Sequence, residues 1–315
     1  MSDMWKISWA GGRVLNTELL KEWLGTALGA PVDAVFAVAV EGATSSSLYR
    51  LRLRASGVDH GLVLRRFTNQ AWLAEESDLV RHEVACLVQA QLTGIPVPRF
   101  VAADETGDVC GAPAVLMTEL PGAVDLMPAD RVAWLRAMAE ALASIHQVDA
   151  RGFRWQYRPY RDMTRLEVPA WSRRPDAWAK AQGLLQAPPP TSQRCFIHRD
   201  FHPCNLLWQG DRLSGVVDWV NGCGGPAGVD VGHCRINLAL LLGVTEADAF
   251  LDFYQASAGP SFTYHPYWDL VTLMDFLTGP PQVYPGWTAF GATGLTDELM
   301  AQRTEAYLAS LLRRY

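Results

Sequence analysis

The period of the apolar residues changes near residue 120, and this change limits the folds open to the chain. Before it, apolar or alternating runs such as AVFAVAV at 34–40 and SLYRLRLR at 47–54 are separated by Gly/Ser-rich turns, which is typical of β-hairpins. After it, apolar residues recur every three or four positions, as in helices. The sequence therefore predicts an α+β fold, with a small β-rich part followed by a larger helical part.

The β-rich part contains five predicted strands and one predicted helix. The strands are expected at residues 34–40, 47–54, 62–67, 99–104 and 114–120. The helix lies within 75–94 and ends before Pro96. Because the strands follow one another through short turns, we expect a five-stranded antiparallel sheet with one helix laid on it. The breaker Pro121-Gly122 marks the joint between two domains, which we set at 1–118 and 119–315.

The remaining two thirds of the chain is predicted to be mainly helical. The predicted helices lie within residues 127–149, 235–243, 246–257, 267–277 and 297–314. A segment rich in aromatic residues, Arg and Pro, at 151–178, is expected to be irregular. We find no internal repeat and no low-complexity tract.

Composition and charge exclude several classes of partner. With 315 residues, 49% of them hydrophobic, the chain can bury an ordinary globular core. Its net charge of −6 and its scattered basic residues argue against nucleic acid and anionic membranes. The longest apolar run, Ile236 to Val244, is about half of the roughly 20 residues that a spanning helix needs, and the N-terminus lacks signal-peptide features. Dispersed cysteines suit reduced thiols. We therefore expect a cytoplasmic protein with a small-molecule partner.

One stretch, CFIHRDFHPCNLLWQGDRLSGVVDWV at 195–220, concentrates reactive side chains. It could form a metal cluster, an acid/base site, or a set of buried structural polar groups. The metal interpretation would use His198, His202, Cys204, Cys223, His233 and Cys234. Zinc sites usually contain close pairs such as C-x2-C or H-x3-H, whereas the Cys and His spacings here are irregular, and the one H-x3-H pair lies in a loop that also contains proline. A zinc hydrolase is therefore the least favoured interpretation.

The spacing of the acids in this stretch favours phosphoryl transfer. Asp200 follows His198 by two residues, Asn205 follows Asp200 by five, and Asp218 follows Asn205 by thirteen. The residues between Asn205 and Asp218 predict a hairpin, which would bring these two side chains together. A loop carboxylate such as Asp200 can orient a hydroxyl and accept its proton. Asn205 and Asp218 offer the hard oxygen ligands that suit Mg²⁺ held against nucleotide phosphates.

The motif His198-x-Asp200-x4-Asn205, followed by VVDW, resembles that of the aminoglycoside phosphotransferase and choline kinase superfamily, distant relatives of the protein kinases. His202 and Pro203 match the family pattern H-x-D-x-H/x-P-x-N as well. The resemblance covers nearly the whole chain. It implies a two-lobed, protein-kinase-like fold and Mg²⁺-dependent transfer of the γ-phosphate of ATP or GTP to a hydroxyl of a small molecule. The implied roles are base for Asp200, magnesium ligand for Asn205 and Asp218, and brace of the catalytic loop for His198.

The resemblance also assigns nucleotide-binding roles in the β-rich part. Arg65 in VLRRF stands where the family has a lysine or arginine that contacts the phosphates. Glu83 stands where the family has a helical acid that pairs with this cation, so the resemblance implies the same two roles here. Independently, Glu83 shares the apolar stripe of its helix, and a buried carboxylate there requires a charged partner. A plain structural ion pair is the alternative. The adjacent Arg66 leaves open which arginine points inward.

Two further segments complete the implied nucleotide site. EGATSSSLY resembles the loop that covers the phosphates, with Gly42, Ser45 and Ser46 as its contacts, although any Gly/Ser hairpin turn looks similar. VLMTEL resembles the hinge that receives the adenine edge through backbone groups, at Met117, Glu119 and Leu120. In the helical part, Asp230 matches the acid that braces the catalytic loop by hydrogen bonds to its backbone.

The substrate is less constrained by the sequence. Five acids on predicted helices follow Asp200: Glu246, Asp248, Asp252, Asp269 and Asp275. They would favour a cationic acceptor, and aromatic residues nearby could stack on a sugar or enclose a quaternary ammonium. A solvated acidic face and a structural core explain the same residues. We therefore expect an aminoglycoside-, choline- or homoserine-like acceptor. Arg65 in place of lysine keeps a catalytically idle nucleotide-binding protein as the alternative.

Overall fold

The computed structural model describes residues 17–40, 46–192, 194–277 and 279–315. The chain forms two compact units. The first comprises the described residues up to Gln91 together with Val97–Leu120, and the second comprises Leu92–Pro96 and Pro121–Tyr315. The assignment of nucleotide binding to 1–118 and catalysis to 119–315 stays a prediction. Among the described helices, none is long and apolar enough to cross a membrane.

The first unit is built around one sheet. Its elements are α1 (Thr17–Leu28), β1 (Val32–Ala39), β2 (Ser47–Ala55), β3 (Val58–Arg66), α2 (Gln70–Glu75), α3 (Leu79–Ala90), β4 (Phe100–Asp104) and β5 (Ala114–Thr118). The strand order is β1-β2-β3-β5-β4, with antiparallel neighbours. The predicted five-stranded antiparallel sheet is confirmed. The prediction of a single helix was wrong, because the described part of this unit contains three.

The two faces of this sheet are covered by different helices. On β2, alternate residues from Tyr49 to Ala55 are buried, and they pack with Leu20 and Leu24 of α1. The opposite face lies towards α3, whose buried residues include Glu83. Both faces of β3 are therefore protected from water, which explains why successive residues at its end are buried.

The second unit contains the remaining elements. They are α4 (Arg131–Ile145), α5 (Pro175–Leu185), β6 (Arg194–Ile197), β7 (Leu206–Gln209), β8 (Arg212–Val216), β9 (Cys223–Pro226), α6 (Ala227–Leu241), α7 (Val244–Ala258), α8 (Pro266–Phe276), α9 (Pro285–Ala289) and α10 (Asp297–Leu312). Helix α6 is buried on nearly all sides and packs against α7, α8 and α10. The helical character is confirmed, but α5 replaces part of the segment that was predicted to be irregular.

Two short antiparallel pairs position the reactive stretch. Strand β6 pairs with β9, and β7 pairs with β8 in the predicted hairpin. The start of the second unit is fixed to this hairpin, since Ala123 and Trp208 exchange backbone hydrogen bonds of 3.1 and 2.8 Å. Gly122, with φ of 108°, permits this approach, because a Cβ there would lie 2.3 Å from Ser214 Oγ.

Candidate active site

The loop that follows β6 is held by Asp230, in the first turn of α6. The two oxygens of this fully buried carboxylate accept the backbone N–H groups of His198, at 2.7 Å, and Arg199, at 2.6 Å. Arg199 has φ of 66°, a left-handed conformation that a non-glycine residue adopts at a cost of roughly 1–2 kcal/mol. The bonds to Asp230 hold this bend in place. The backbone contacts predicted for Asp230 are therefore present.

Asp230 is itself supported by His146, at the end of α4. The His146 Nε2–H donates to Asp230 Oδ2 at 3.1 Å, and the Tyr254 hydroxyl lies 2.6 Å from the other ring nitrogen. Burial acts to raise the pKa of Asp230, but the hydrogen bond and charge of His146 and the contacts with His198 hold it below its ordinary value. Asp230 is therefore ionised at neutral pH. His146 could not be found from the sequence, because no local pattern links residues so far apart in the chain.

His198 is fully buried and oriented by two backbone groups. Its Nε2 lies 2.9 Å from the carbonyl oxygen of Val217, and its Nδ1 accepts the Asp200 N–H at 3.3 Å. Its ring packs on Trp219 with 4.5 Å between ring centroids. A histidine whose two nitrogens are both engaged in this way shapes the loop. These contacts fit the role predicted for His198 as a brace of the loop. The carboxylate of the loop belongs to Asp200.

The Asp200 carboxylate has a donor at each oxygen. Asn205 Nδ2 donates to Oδ2 at 3.1 Å and to the Asp200 backbone carbonyl at 2.9 Å. His233 Nε2 lies 3.2 Å from Oδ1, and His202 Nε2 lies 3.7 Å from the same oxygen. His233, which the sequence suggested only as a metal ligand, lies beside the predicted base.

At neutral pH, Asp200 is ionised and His202 is neutral. Burial acts to raise the pKa of Asp200, but the imidazoles of His202 and His233 outweigh burial and hold it well below its usual range. Burial lowers the pKa of His202 to about 4, so this ring is neutral at pH 7. Asp200 is therefore a carboxylate at neutral pH, the form that can accept a proton.

The hairpin brings the backbone of Asn205 next to the residue that precedes Asp218. The Val217 N–H donates to the Asn205 carbonyl at 3.0 Å, so the residue before Asp218 is bonded directly to Asn205. Asp218 has φ of 67°, a bend that breaks the strand direction after β8. Since Asn205 uses its amide nitrogen on Asp200, its amide oxygen is the atom that remains for a cation. An amide oxygen and a carboxylate fit Mg²⁺, which usually keeps several waters and binds substrate phosphates as well.

The residues considered in the least favoured interpretation, a zinc cluster, are not arranged as a metal site. Within the described residues, no group of three or more His, Cys, Asp or Glu side chains is arranged to hold a metal ion. All six cysteines are buried as free thiols. Burial raises the pKa of Cys110, Cys204 and Cys223 to about 12. Protonated thiols are poor zinc ligands, so the chemistry of the reactive stretch rests on its oxygen atoms.

This burial predicts that the native thiols are unreactive. With a pKa of about 12, only about 10⁻⁴ of a thiol is ionised at pH 8. We expect Ellman's reagent to leave the native protein unlabelled over minutes and to titrate six thiols after unfolding in guanidinium chloride. Rapid labelling of Cys204 in the native protein, identified by mass spectrometry, would contradict its burial in the catalytic loop.

In the first unit, Arg65 and Glu83 form the expected ion pair. Their side chains are 3% and 1% exposed, and Arg65 Nε lies 3.0 Å from Glu83 Oε1. Arg65 Nη1 donates to Ser46 Oγ at 3.3 Å. Arg66 points to the other face of the sheet, where its Nε–H donates to the Cys110 carbonyl at 2.8 Å. The structure thus assigns the inward pairing with Glu83 to Arg65.

The nucleotide contacts predicted at the other residues stay predictions, and the structure gives only the surroundings of those residues that it describes. Gly42 and Ser45 lie outside the described residues. Met117 is buried in β5, and Leu120 is partly buried at the end of the first unit. The Glu119 N–H donates to the Gly61 carbonyl at 3.3 Å. The Glu119 carboxylate is engaged by two arginines of β2, with 3.0 Å to Arg52 Nη2 and 3.4 Å to Arg50 Nε.

Most of the acids that suggested a cationic substrate are neutralised within the protein. Arg235, fully buried in α6, binds Asp248 at 2.6 Å and Asp269 at 2.5 Å. Glu246 pairs with Arg131 at 3.0 Å. Asp275 accepts the backbone N–H groups of residues 160 and 161, at 3.2 and 3.0 Å. The charge argument for a cationic acceptor was therefore wrong for these four acids, because each already has a partner.

Several of the aromatic residues also have structural roles. Tyr254 is fully buried, and Trp268 is buried where its ring packs against Gly228. Tyr264 lies beside the Arg235 guanidinium. Tyr160 is exposed, and the Arg199 guanidinium lies 4.0 Å from its ring centroid. Rings that are buried, or that already lie against an arginine, do not support the aromatic cage considered for a quaternary ammonium.

Comparison with known proteins gives matches along most of the chain. The model of the phosphotransferase enzyme family matches residues 37–270. A homoserine kinase from Beijerinckia indica subsp. indica is 30% identical over 142 residues, which are 41% of this chain and 42% of the relative. One from Rhodopseudomonas palustris is 27% identical over 186 residues, 51% of this chain and 54% of the relative. The chain thus spans about half the length of the curated relatives it matches.

Solved structures resemble the chain more completely. A candidate aminoglycoside phosphotransferase from Ralstonia eutropha JMP134 has a TM-score of 0.62 at 18% identity, covering 94% of this chain and 99% of that one. Macrolide 2'-phosphotransferase MphH from Brachybacterium faecium has a TM-score of 0.57 at 18% identity, covering 93% and 97%. A mutant of aminoglycoside phosphotransferase APH(4)-Ia with ADP and hygromycin B has a TM-score of 0.56 at 15% identity, covering 92% and 98%. The predicted kinase-like α+β fold is confirmed.

Proposed function

Because this chain belongs to the phosphotransferase enzyme family, we propose that it transfers the γ-phosphate of ATP or GTP, with Mg²⁺, to a hydroxyl group of a small molecule. The observation that carries the proposal is the arrangement at Asp200. Its ionised carboxylate is fixed by Asn205, and Asn205 is bonded through its backbone to the residue before Asp218. A proton acceptor and two oxygen ligands in one connected unit are what this reaction requires.

In the proposed reaction, Asp200 orients the acceptor hydroxyl and takes its proton. The hydroxyl oxygen forms a bond to the γ-phosphorus, and the bond from that phosphorus to the β-phosphate oxygen breaks. The products are the phosphorylated alcohol and the nucleoside diphosphate. Mg²⁺, held by Asn205 and Asp218, would neutralise the phosphate charge. The contribution of the protein is positioning and charge, because phosphoryl transfer needs little covalent help.

The first unit would bind the nucleotide phosphates through Arg65. A guanidinium is permanently charged and suited to phosphate, and Glu83 fixes its direction from α3. Ser46, from the segment that resembles the phosphate-covering loop, contacts the same guanidinium. The hinge at Met117, Glu119 and Leu120 would recognise the base through backbone groups, since the Glu119 carboxylate is engaged elsewhere.

Substituting Arg65 tests the nucleotide assignment. We expect Arg65→Met to weaken nucleotide binding by about 10- to 100-fold, because a charged hydrogen bond contributes roughly 1.5–3 kcal/mol. Arg66→Met is the matched control, since it removes a buried arginine from the adjacent position of the same strand. Both variants should be less stable, but only the first should lose affinity in isothermal titration calorimetry. An equal loss in both would contradict the phosphate role of Arg65.

Identification of the acceptor tests the function as a whole. The curated relatives are named homoserine kinases, and solved structures with this fold are named aminoglycoside or macrolide phosphotransferases. We therefore propose a screen of homoserine, choline, aminoglycosides and macrolides with γ-labelled ATP and GTP. Transfer of label to at least one hydroxyl is expected. If Mg²⁺ and nucleotide give neither transfer nor hydrolysis with any acceptor, the chain is the idle nucleotide-binding alternative.

A further inference from the structure

His233 lies on the same face of α6 as the acid that braces the catalytic loop. It follows Asp230 by three residues, so the two side chains project from nearly the same side of the helix. Asp230 binds the backbone of His198 and Arg199, while the His233 side chain reaches the Asp200 carboxylate. One turn of α6 therefore contacts three consecutive residues of the loop.

The contact with Asp200 has the geometry of a hydrogen bond. His233 Nε2 lies 3.2 Å from Asp200 Oδ1, and Asn205 Nδ2 lies 3.1 Å from Oδ2. His202 also faces Oδ1, but at 3.7 Å it lies beyond hydrogen-bonding distance. With one donor on each oxygen, the plane of the carboxylate is fixed about its terminal torsion, which otherwise rotates broadly.

The ring of His233 is itself held by its neighbours. Its centroid lies 5.9 Å from that of His202 and 6.2 Å from that of Phe276, and both pairs are edge-to-face. The side chain is 20% exposed, so one part of it remains open to solvent. A donor fixed by packing can restrain an acceptor more strongly than a mobile surface side chain can.

We propose that His233 is a positioning residue, whose Nε2–H holds Asp200 in the orientation that receives the acceptor proton. This inference rests on the proposed role of Asp200 as base. A carboxylate held at both oxygens presents its remaining lone pairs, one on each oxygen, to the hydroxyl in a fixed direction. A small error in such an orientation is sufficient to lower the rate of the chemical step by about 10²-fold.

Two substitutions separate donation from packing. His233→Phe keeps an aromatic ring against His202 and Phe276 but removes the N–H. His233→Gln loses the ring and keeps an amide N–H near the position of Nε2. We expect kcat to fall by about 10- to 100-fold in His233→Phe and by less than about fivefold in His233→Gln, with both KM values nearly unchanged. His60→Gln, on β3, is the control and should have the activity of the wild type.

The opposite order would overturn the inference. If His233→Gln loses as much activity as His233→Phe, or if the loss is in KM, His233 acts by packing or by binding substrate. Circular dichroism and melting temperatures identify any variant that fails to fold, and the nitrogen spectrum of wild-type His233 then decides the matter. That resonance, assigned by its loss in His233→Gln, should report a protonated Nε2 that shifts in Asp200→Ala. An unchanged resonance would show that the contact is absent.

The same measurements distinguish this inference from the proposed function. If the wild-type protein transfers no phosphate to any acceptor and hydrolyses no nucleotide, the proposed function fails. The nitrogen resonance still determines whether His233 holds Asp200 in that case. If the wild type is active and all His233 variants match it, the function stands and the inference about His233 is wrong.

Discussion

Asp200→Asn should lower kcat for phosphoryl transfer by about 10²–10⁴-fold, the range typical of a lost general base. The amide has nearly the volume of the carboxylate, but it cannot take the proton from the hydroxyl group of the substrate. Because Asp200 is not one of the proposed phosphate or magnesium contacts, nucleotide affinity should change by less than about twofold. Initial rates with a radiolabelled nucleotide and titration calorimetry with ADP measure the two quantities on the same preparation.

The matched control for this prediction is Asp176→Asn. Asp176 is an exposed acid in the first turn of α5, and its substitution removes the same charge from the second unit. We expect that control to keep the activity of the wild type. Turnover of Asp200→Asn at the rate of the control would remove Asp200 from its role as base.

Asp230→Ala should cost about 3–5 kcal/mol in the free energy of unfolding. The substitution leaves two backbone N–H groups, those of His198 and Arg199, buried without their acceptor, and it also removes the partner of His146. The left-handed bend at Arg199 then lacks the bonds that hold it. Urea unfolding followed by tryptophan fluorescence, with Asp252→Ala as control, measures the loss. A difference below about 1 kcal/mol would contradict the bracing role.

The pH dependence of this effect has a defined sign. Burial opposes ionisation of Asp230, but its partners hold the folded-state pKa below the ordinary value. A group whose pKa is lower in the folded state than in the unfolded state contributes its full stabilisation at pH values above the unfolded-state pKa. For aspartate that pKa is about 3.9. The difference between the wild type and Asp230→Ala should therefore be constant near neutrality. It should decrease as the pH falls below about 4 and through the folded pKa.

Elements with a strong local pattern could be predicted from the sequence. The alternation of β2 and the hairpin of β7 and β8 depend on neighbouring residues, and both were found at nearly their observed positions. Helices α1 and α5 were missed. In α1 only Leu20 and Leu24 are fully sequestered, and in α5 a stripe of three buried residues follows an irregular, proline-rich segment. Their stability comes from tertiary packing, which a local period does not record.

The residues of the candidate site also divide into those that a local pattern predicted and those that it did not. Asp200, Asn205 and Asp218 belong to one contiguous motif, so their spacing predicted their proximity. His146 and His233 come from other elements, and only the fold brings them to Asp230 and Asp200. The pairing of Asp248 and Asp269 with buried Arg235 was also invisible, because the charge of a residue in a sequence does not reveal its partner. For this reason the charge argument for a cationic acceptor was wrong for these two acids.

The Asp230 contacts tie the proposed activity to the folding of the second unit. The catalytic loop is bonded to an acid about thirty residues later in the chain, and that acid is bonded to a histidine at the end of α4. A folding intermediate that lacks α4 or α6 would also lack a formed loop. Recovery of phosphoryl transfer after dilution from denaturant should therefore follow the slowest step in the assembly of the second unit, even when most of the helical signal has already returned.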